Sequence, residues 1–121
     1  LNKHPEQAAA LQEVQADNLR RLRAAGVKLA IGSDDVMGTV VDEILYLGSL
    51  GVMPRAELLR RATMDTARFM FPAQKIGAFE EGYEASFIAF EDNPLEGLER
   101  LRTPYIRVKE GGLLPPTGVE R

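Results

Sequence analysis

The sequence predicts an α/β fold, and three features along the chain support this prediction. An amphipathic helical pattern runs through residues 5–25, and a short apolar run, Val27 to Ile31, follows it directly. Further helical patterns continue to residue 71. After Pro72 the chain changes to glycine-containing turns and short runs rich in β-branched and aromatic residues, which favour strands.

The first helix is predicted to begin at Pro5 and to end before Gly26. Proline suits the first helical position because its missing N–H would have no partner there. Glycine suits the left-handed position just past a helix end. One apolar face at helical spacing is formed by Ala8, Leu11, Val14, Leu19, Leu22 and Ala25.

The run Val27 to Ile31 is predicted to be a buried strand, since it is short, mostly apolar and bounded by glycines. It leads into Ser33, Asp34 and Asp35. In α/β proteins, ligands and catalytic groups gather at the carboxyl ends of strands. Asp34 is therefore the leading candidate for a functional residue.

Three helices are predicted next, from Thr39 to Gly51, from Pro54 onward, and from Asp65 to Phe69. Thr39 and Asp42 have the spacing of a capping box, and Asp65 is a candidate cap for the third helix. Pro72 is expected to stop that helix, since proline removes a backbone donor. Beyond it, the predicted elements are strands within 85–91 and 105–109, a helical turn through Leu98 and a turn at Gly111-Gly112.

Composition narrows the class of protein. The chain has 121 residues, enough for one ordinary domain, and a net charge of −3, which argues against nucleic-acid binding. It has no cysteine, so disulfides and thiolate metal sites are excluded. No apolar run approaches the ~20 residues that span a bilayer, and no signal peptide is visible. We expect a cytoplasmic protein that binds neither nucleic acid nor membrane.

The residues themselves leave several roles open for Asp34. A carboxylate at a strand end can ligate a metal, act as a base, or cap the next helix. His4 is the one histidine and fits a surface or capping residue, because a zinc site needs three or four protein ligands. Ser33 does not lie in a Gly-x-Ser-x-Gly motif, and no histidine follows it.

Five segments, in order, resemble the C-terminal part of the metal-dependent amidohydrolases, in their imidazolonepropionase-like and Xaa-Pro dipeptidase-like branch. Ile31-Gly32-Ser33-Asp34 is similar to the family's Gly-Thr-Asp signature after the eighth barrel strand, with serine replacing threonine. The other segments are Leu59 to Arg68, Ile76-Gly77 with Glu81-Gly82, Asn93-Pro94-Leu95, and Val108 to Gly111.

The resemblance implies the last βα unit of a TIM barrel with C-terminal helices, in residues 1–72. It implies part of the small β-sandwich domain in residues 73–121. It also implies a hydrolase of C–N bonds, in cyclic amides or dipeptides, that uses a divalent metal, with zinc expected. At the position of Asp34 the family has a metal ligand that also takes a proton from metal-bound water. Asp35 receives no role from the resemblance.

Two departures from the family pattern stand out. Ser86 replaces an aspartate, and the family's other metal ligands, several of them histidines, have no counterpart in this chain. One barrel strand cannot close a barrel, so the 121 residues alone are expected to be inactive. They are expected to self-associate or to assemble with the rest of the barrel. The alternative hypothesis is a non-catalytic α/β interaction or structural module in which Asp34 is a capping residue.

Overall fold

A computed structural model describes residues 4–33 and 39–116, in which helices precede a small antiparallel sheet. Helix α1 (Pro5–Ala24) is followed by α2 (Val40–Ser49), α3 (Arg55–Arg60) and α4 (Thr66–Met70). A π turn, Arg61–Asp65, joins α3 to α4. Strands β1 (Phe87–Ala89), β2 (Ile106–Lys109) and β3 (Gly112–Leu113) form the sheet, and a 3₁₀ turn, Leu98–Arg102, lies between β1 and β2.

Both ends of α1 agree with the sequence prediction. Pro5 begins the helix, and Gly26 has a φ of 71° just past its end. The N–H of Gly26 donates to the Arg23 carbonyl, and the N–H of Val27 donates to the Leu22 carbonyl, as in a Schellman motif. The predicted apolar face is largely uncovered, however, with Leu11 57% and Val14 56% exposed. Spacing identified the face, but the described residues do not bury it.

The hydrophobic core lies between α2, α3 and the 3₁₀ turn. Its buried members are Ile31, Ile44, Met53, Leu58 and Leu98. Gly48 in α2 allows the 3₁₀ turn to approach closely, because a Cβ there would lie 2.7 Å from Leu98 Cδ1. Leu58 is completely buried, so α3 forms the centre of this core.

The prediction of a buried strand at Val27 to Ile31 is wrong for the described residues. This segment has no strand hydrogen bonds there, and Val27 is 42% exposed, whereas Ile31 is buried. A strand needs a neighbour to accept and donate its backbone hydrogen bonds, and no described segment pairs with residues 27–31. The apolar pattern therefore indicates a segment that could form a strand, but the described residues offer no second strand for it to pair with.

The prediction of a separate helix capped by Asp65 is also wrong. The backbone stays helical from Arg55 to Met70, and the Asp65 side chain makes no capping hydrogen bond. It lies 3.8 Å from Arg60 in an ion pair instead. The sequence contains no glycine or proline between residues 55 and 70 that would break the helix. The only departure from α-helical hydrogen bonding between Arg55 and Met70 is the π turn, Arg61–Asp65.

The sheet confirms both predicted strands. β2 pairs antiparallel with β1, placing Phe87 opposite Val108, and with β3, placing Val108 opposite Leu113. The predicted turn lies one residue earlier than expected, at Glu110-Gly111, where φ is 51° and 78°. Two positive φ angles are the requirement of a type I′ hairpin turn, whose twist matches the strands.

Candidate active-site segment

Asp34 and Asp35, the carboxylates singled out from the sequence, lie outside the described residues. The segment that leads to them, residues 27–33, is described, and its contacts define the setting of the candidate site. The next helix, α2, has Thr39 as its N-cap, in a capping box with Asp42. Asp34 is therefore not the N-cap of α2, which removes one of the three roles open to it.

Ile31 attaches this segment to the helical body, which consists of α2, α3, the π turn and α4 together. Its side chain is buried in the core, and its N–H donates to Thr66 Oγ1 at 2.9 Å. The Thr66 hydroxyl in turn donates to the Arg61 carbonyl at 2.6 Å. Four residues earlier in the chain, at Val27, the backbone is still held by the end of α1. The segment is thus held at Val27 and at Ile31.

Glu57 of α3 joins the end of α1 to the helical body by accepting from two arginines. Arg23 Nη2 donates to Glu57 Oε2 at 2.6 Å, and Arg61 Nη2 donates to Oε1 at 2.9 Å. The hydrogen bond from Arg23, with a smaller contribution from Arg61, holds the pKa of the Glu57 carboxyl below its ordinary value, against the opposing effect of desolvation. The contact ties the last turn of α1 to α3, close to the start of residues 27–33.

Replacing Glu57 with glutamine is expected to remove part of the acid sensitivity of the fold. A carboxyl whose pKa is lowered by folding stabilises the fold above its unfolded pKa, and the stabilisation is lost as pH falls through the folded pKa. At neutral pH the midpoint of thermal unfolding should be a few degrees higher for wild type than for Glu57→Gln. This difference should shrink toward pH 3. The same difference at both pH values would contradict the assignment. Glu43→Gln, at an α2 carboxylate, is the control.

Gly77 brings two of the family-like segments together. Its φ is 86°, and a Cβ built on it would lie 2.7 Å from Ala67 Cβ and 2.8 Å from the Thr63 carbonyl oxygen. The Ile76-Gly77 segment therefore packs directly on the helical body, where only glycine fits. This contact connects the predicted second region, beginning near residue 73, to the helices.

Ser86, the departure from the family pattern, makes a structural contact. Its hydroxyl accepts from the Glu110 N–H at 2.9 Å and donates to Glu84 Oε2 at 2.6 Å. The hydrogen bond that Ser86 donates, together with the positive charge of Lys109, lowers the pKa of the Glu84 carboxyl. The serine thus holds the start of β1 against the hairpin turn.

The described residues do not supply a metal site. Residues 4–33 and 39–116 contain no group of three or more His, Cys, Asp or Glu side chains placed to hold an ion. His4 is exposed at the N-cap position of α1, in agreement with a surface or capping residue. One carboxylate, Asp34, does not make a metal site alone.

Sequence reasoning missed Thr66 and Glu57, which hold the candidate segment. Glu57 looks like an ordinary helical residue. Thr66 lies in the family-like segment Leu59 to Arg68, but nothing near it in sequence signals a bond to a residue 35 positions away. Gly77 did carry a signal, because it lies in a segment that resembles the family. No helix among the described residues has the length and apolar character needed to cross a membrane.

A sequence profile described as the Amidohydrolase family matches residues 4–113. Ochratoxinase of Aspergillus niger is 33% identical over 116 residues, covering 90% of this chain and 24% of that protein. The chain therefore spans about a quarter of the length of the curated relatives it matches.

Solved structures give the same result. A Xaa-Pro dipeptidase with bound methionine in its active site is 33% identical, with a TM-score of 0.72 over 82% of this chain and 25% of that one. The Aspergillus niger ochratoxinase structure is 26% identical, with a TM-score of 0.76 over 99% of this chain and 29% of that one. The profile, the relatives and the described fold agree: this chain belongs to the amidohydrolase family.

Proposed function

We propose that this chain is the C-terminal part of a metal-dependent amidohydrolase that hydrolyses C–N bonds in small molecules. The observation that carries the proposal is the family match across residues 4–113, which includes the segment leading to Asp34. The relatives named as a dipeptidase and an ochratoxinase support a hydrolase. A dipeptide ending in proline is the substrate class that we favour, with cyclic amides as the second class.

Asp34 is the residue of this chain to which we assign the chemistry, as metal ligand and general base. When bound, a divalent ion such as zinc would lower the pKa of its water to about 7, within reach of a carboxylate. The segment that leads to Asp34 is attached to the helices through Ile31, three residues earlier. The remaining ligands would come from the preceding part of the enzyme.

The architecture that we assign to the complete enzyme is a TIM barrel with a small β-sandwich domain. Residues 1–72 would supply the last βα unit and C-terminal helices of the barrel, and residues 73–121 part of the sandwich. The uncovered apolar residues of α1 support a neighbouring body, since Leu11 and Val14 are more than half exposed. We assign the enzyme to the cytoplasm.

The alternative, a non-catalytic module in which Asp34 carries no chemistry, predicts different behaviour of the complete protein; the capping role first considered for Asp34 belongs to Thr39. Metal analysis and hydrolysis assays with Xaa-Pro dipeptides, ochratoxin and cyclic amides separate the two hypotheses. The proposal expects bound divalent metal and turnover that a chelator removes. A metal-free complete protein without turnover on any of these substrates would favour the module.

The 121-residue chain gives the matching control. Alone, it is expected to show no turnover and to elute from size exclusion as a species larger than a monomer. A well-folded monomer would count against self-association. Turnover by the chain alone would contradict the assignment of the missing ligands to the rest of the enzyme.

A further inference from the structure

The π turn between α3 and α4 gives Thr66 an unusual set of partners. The N–H of Thr66 donates to the Arg61 carbonyl, five residues earlier, and also to the Thr63 carbonyl, three residues earlier. A regular α-helix would use the carbonyl four residues earlier. The Thr66 hydroxyl donates to the same carbonyl at 2.6 Å. Arg61 O therefore receives two donors from one residue, which fixes the direction of the Thr66 side chain.

The oxygen of the same hydroxyl also accepts a hydrogen bond from outside the helix. Thr66 Oγ1 accepts the Ile31 N–H at 2.9 Å, across 35 positions of sequence. Ile31 is buried and Thr66 is half-buried, so this bond is shielded from competing water. A hydroxyl that donates on one side and accepts on the other acts as a bridge between the π turn and the candidate segment.

We propose that Thr66 is a positioning residue, whose hydroxyl bridge sets where residues 31–33 lie, directly before Asp34 in the sequence. The catalytic consequence rests on the function proposed for Asp34, but the bridge itself does not. π turns inserted in helices occur frequently at functional sites, because the extra residue redirects the side chains that follow. Here the redirected side chain is Thr66, and its target is the backbone three residues before the candidate carboxylate.

A merely stabilising role for Thr66 makes a different prediction, and Thr63 provides the comparison. The Thr63 hydroxyl donates to the Leu59 carbonyl at 2.8 Å, so it also bonds to its own helix. This side chain is exposed, and its hydroxyl bonds within the helix and not to residues 27–33. Loss of the Thr63 hydroxyl therefore reports the local helical effect, whereas loss of the Thr66 hydroxyl adds the effect on Ile31.

The test compares Thr66→Val, Thr66→Ala, Thr66→Ser and Thr63→Val. Hydrogen exchange at Ile31 in the 121-residue chain is measured first. We expect faster exchange in Thr66→Val and Thr66→Ala and near wild-type exchange in Thr66→Ser and Thr63→Val. If Thr66→Val does not fold, Thr66→Ala against Thr66→Ser makes the same comparison. Unchanged exchange at Ile31 in the variants without a hydroxyl would overturn the bridge.

Steady-state kinetics of the complete enzyme are measured second. A misplaced reacting group lowers kcat more than KM, so Thr66→Val should lose roughly 10- to 100-fold in kcat with KM nearly unchanged. Thr66→Ser should restore kcat, and Thr63→Val should retain it. Faster exchange with unchanged kcat would overturn the positioning role. A complete protein with no hydrolase activity would instead refute the proposed function, while the exchange data would still decide the bridge.

Discussion

Asp34→Asn in the complete enzyme is expected to lower kcat by roughly 10² to 10⁴-fold, the range for loss of a general base. An amide has nearly the shape of a carboxylate, but it does not accept a proton at neutral pH and is a weaker ligand for a divalent ion. The fold should persist, because α2 is capped by Thr39 and not by Asp34. Initial rates, metal content and circular dichroism of the purified variant check these three points.

Asp35→Asn is the matched control. It changes the charge equally, one residue away, at a position to which neither the sequence nor the resemblance assigns a role. We expect its kcat within a few-fold of wild type. Full activity of Asp34→Asn would refute the proposed mechanism, and equal losses in both variants would indicate a general charge effect.

Gly77→Ala is expected to have the largest effect on stability, about 2–4 kcal/mol. Part of the cost is the left-handed backbone, where φ is 86° and alanine is strained. The rest comes from the contacts of the new Cβ with the Thr63 carbonyl and Ala67, both under 3 Å, which require the backbone to shift. Urea unfolding of the 121-residue chain would measure the loss.

Gly82→Ala separates these two causes. Its φ is 84°, close to that of Gly77, but the nearest atom to its Cβ is Lys75 Nζ at 3.8 Å. It should therefore cost about 1 kcal/mol, the conformational part alone. Equal losses at Gly77 and Gly82 would mean that close packing on the helical body contributes nothing.

Elements whose ends are marked by local chemistry were predictable. Pro5 and Gly26 delimit α1, Thr39 with Asp42 begins α2, and the β-rich runs after residue 85 form β1 and β2. In each case the signal acts within a few residues, through a fixed φ, a cap or a side-chain alternation. The family resemblance, which the profile match confirms, also depended on such short segments in order.

Elements that depend on a distant partner were not predictable in the same way. Residues 27–31 have the composition of a buried strand, but no described segment pairs with them. The sequence predicts a helix break at Asp65, because aspartate is a reasonable cap, but the run from Arg55 to Met70 stays helical. The π turn that replaces the break depends on backbone geometry over several residues.

Local sequence is sufficient, in this chain, for helix ends, turn chemistry, family membership and the choice of Asp34 as a candidate. The setting of that candidate depends on contacts between residues far apart in sequence: Ile31 with Thr66, Arg23 with Glu57, and Gly77 with Thr63 and Ala67. The physical reason is range. A cap or a glycine acts on its own turn, whereas a hydrogen bond across 35 positions forms only after the core has brought both partners together.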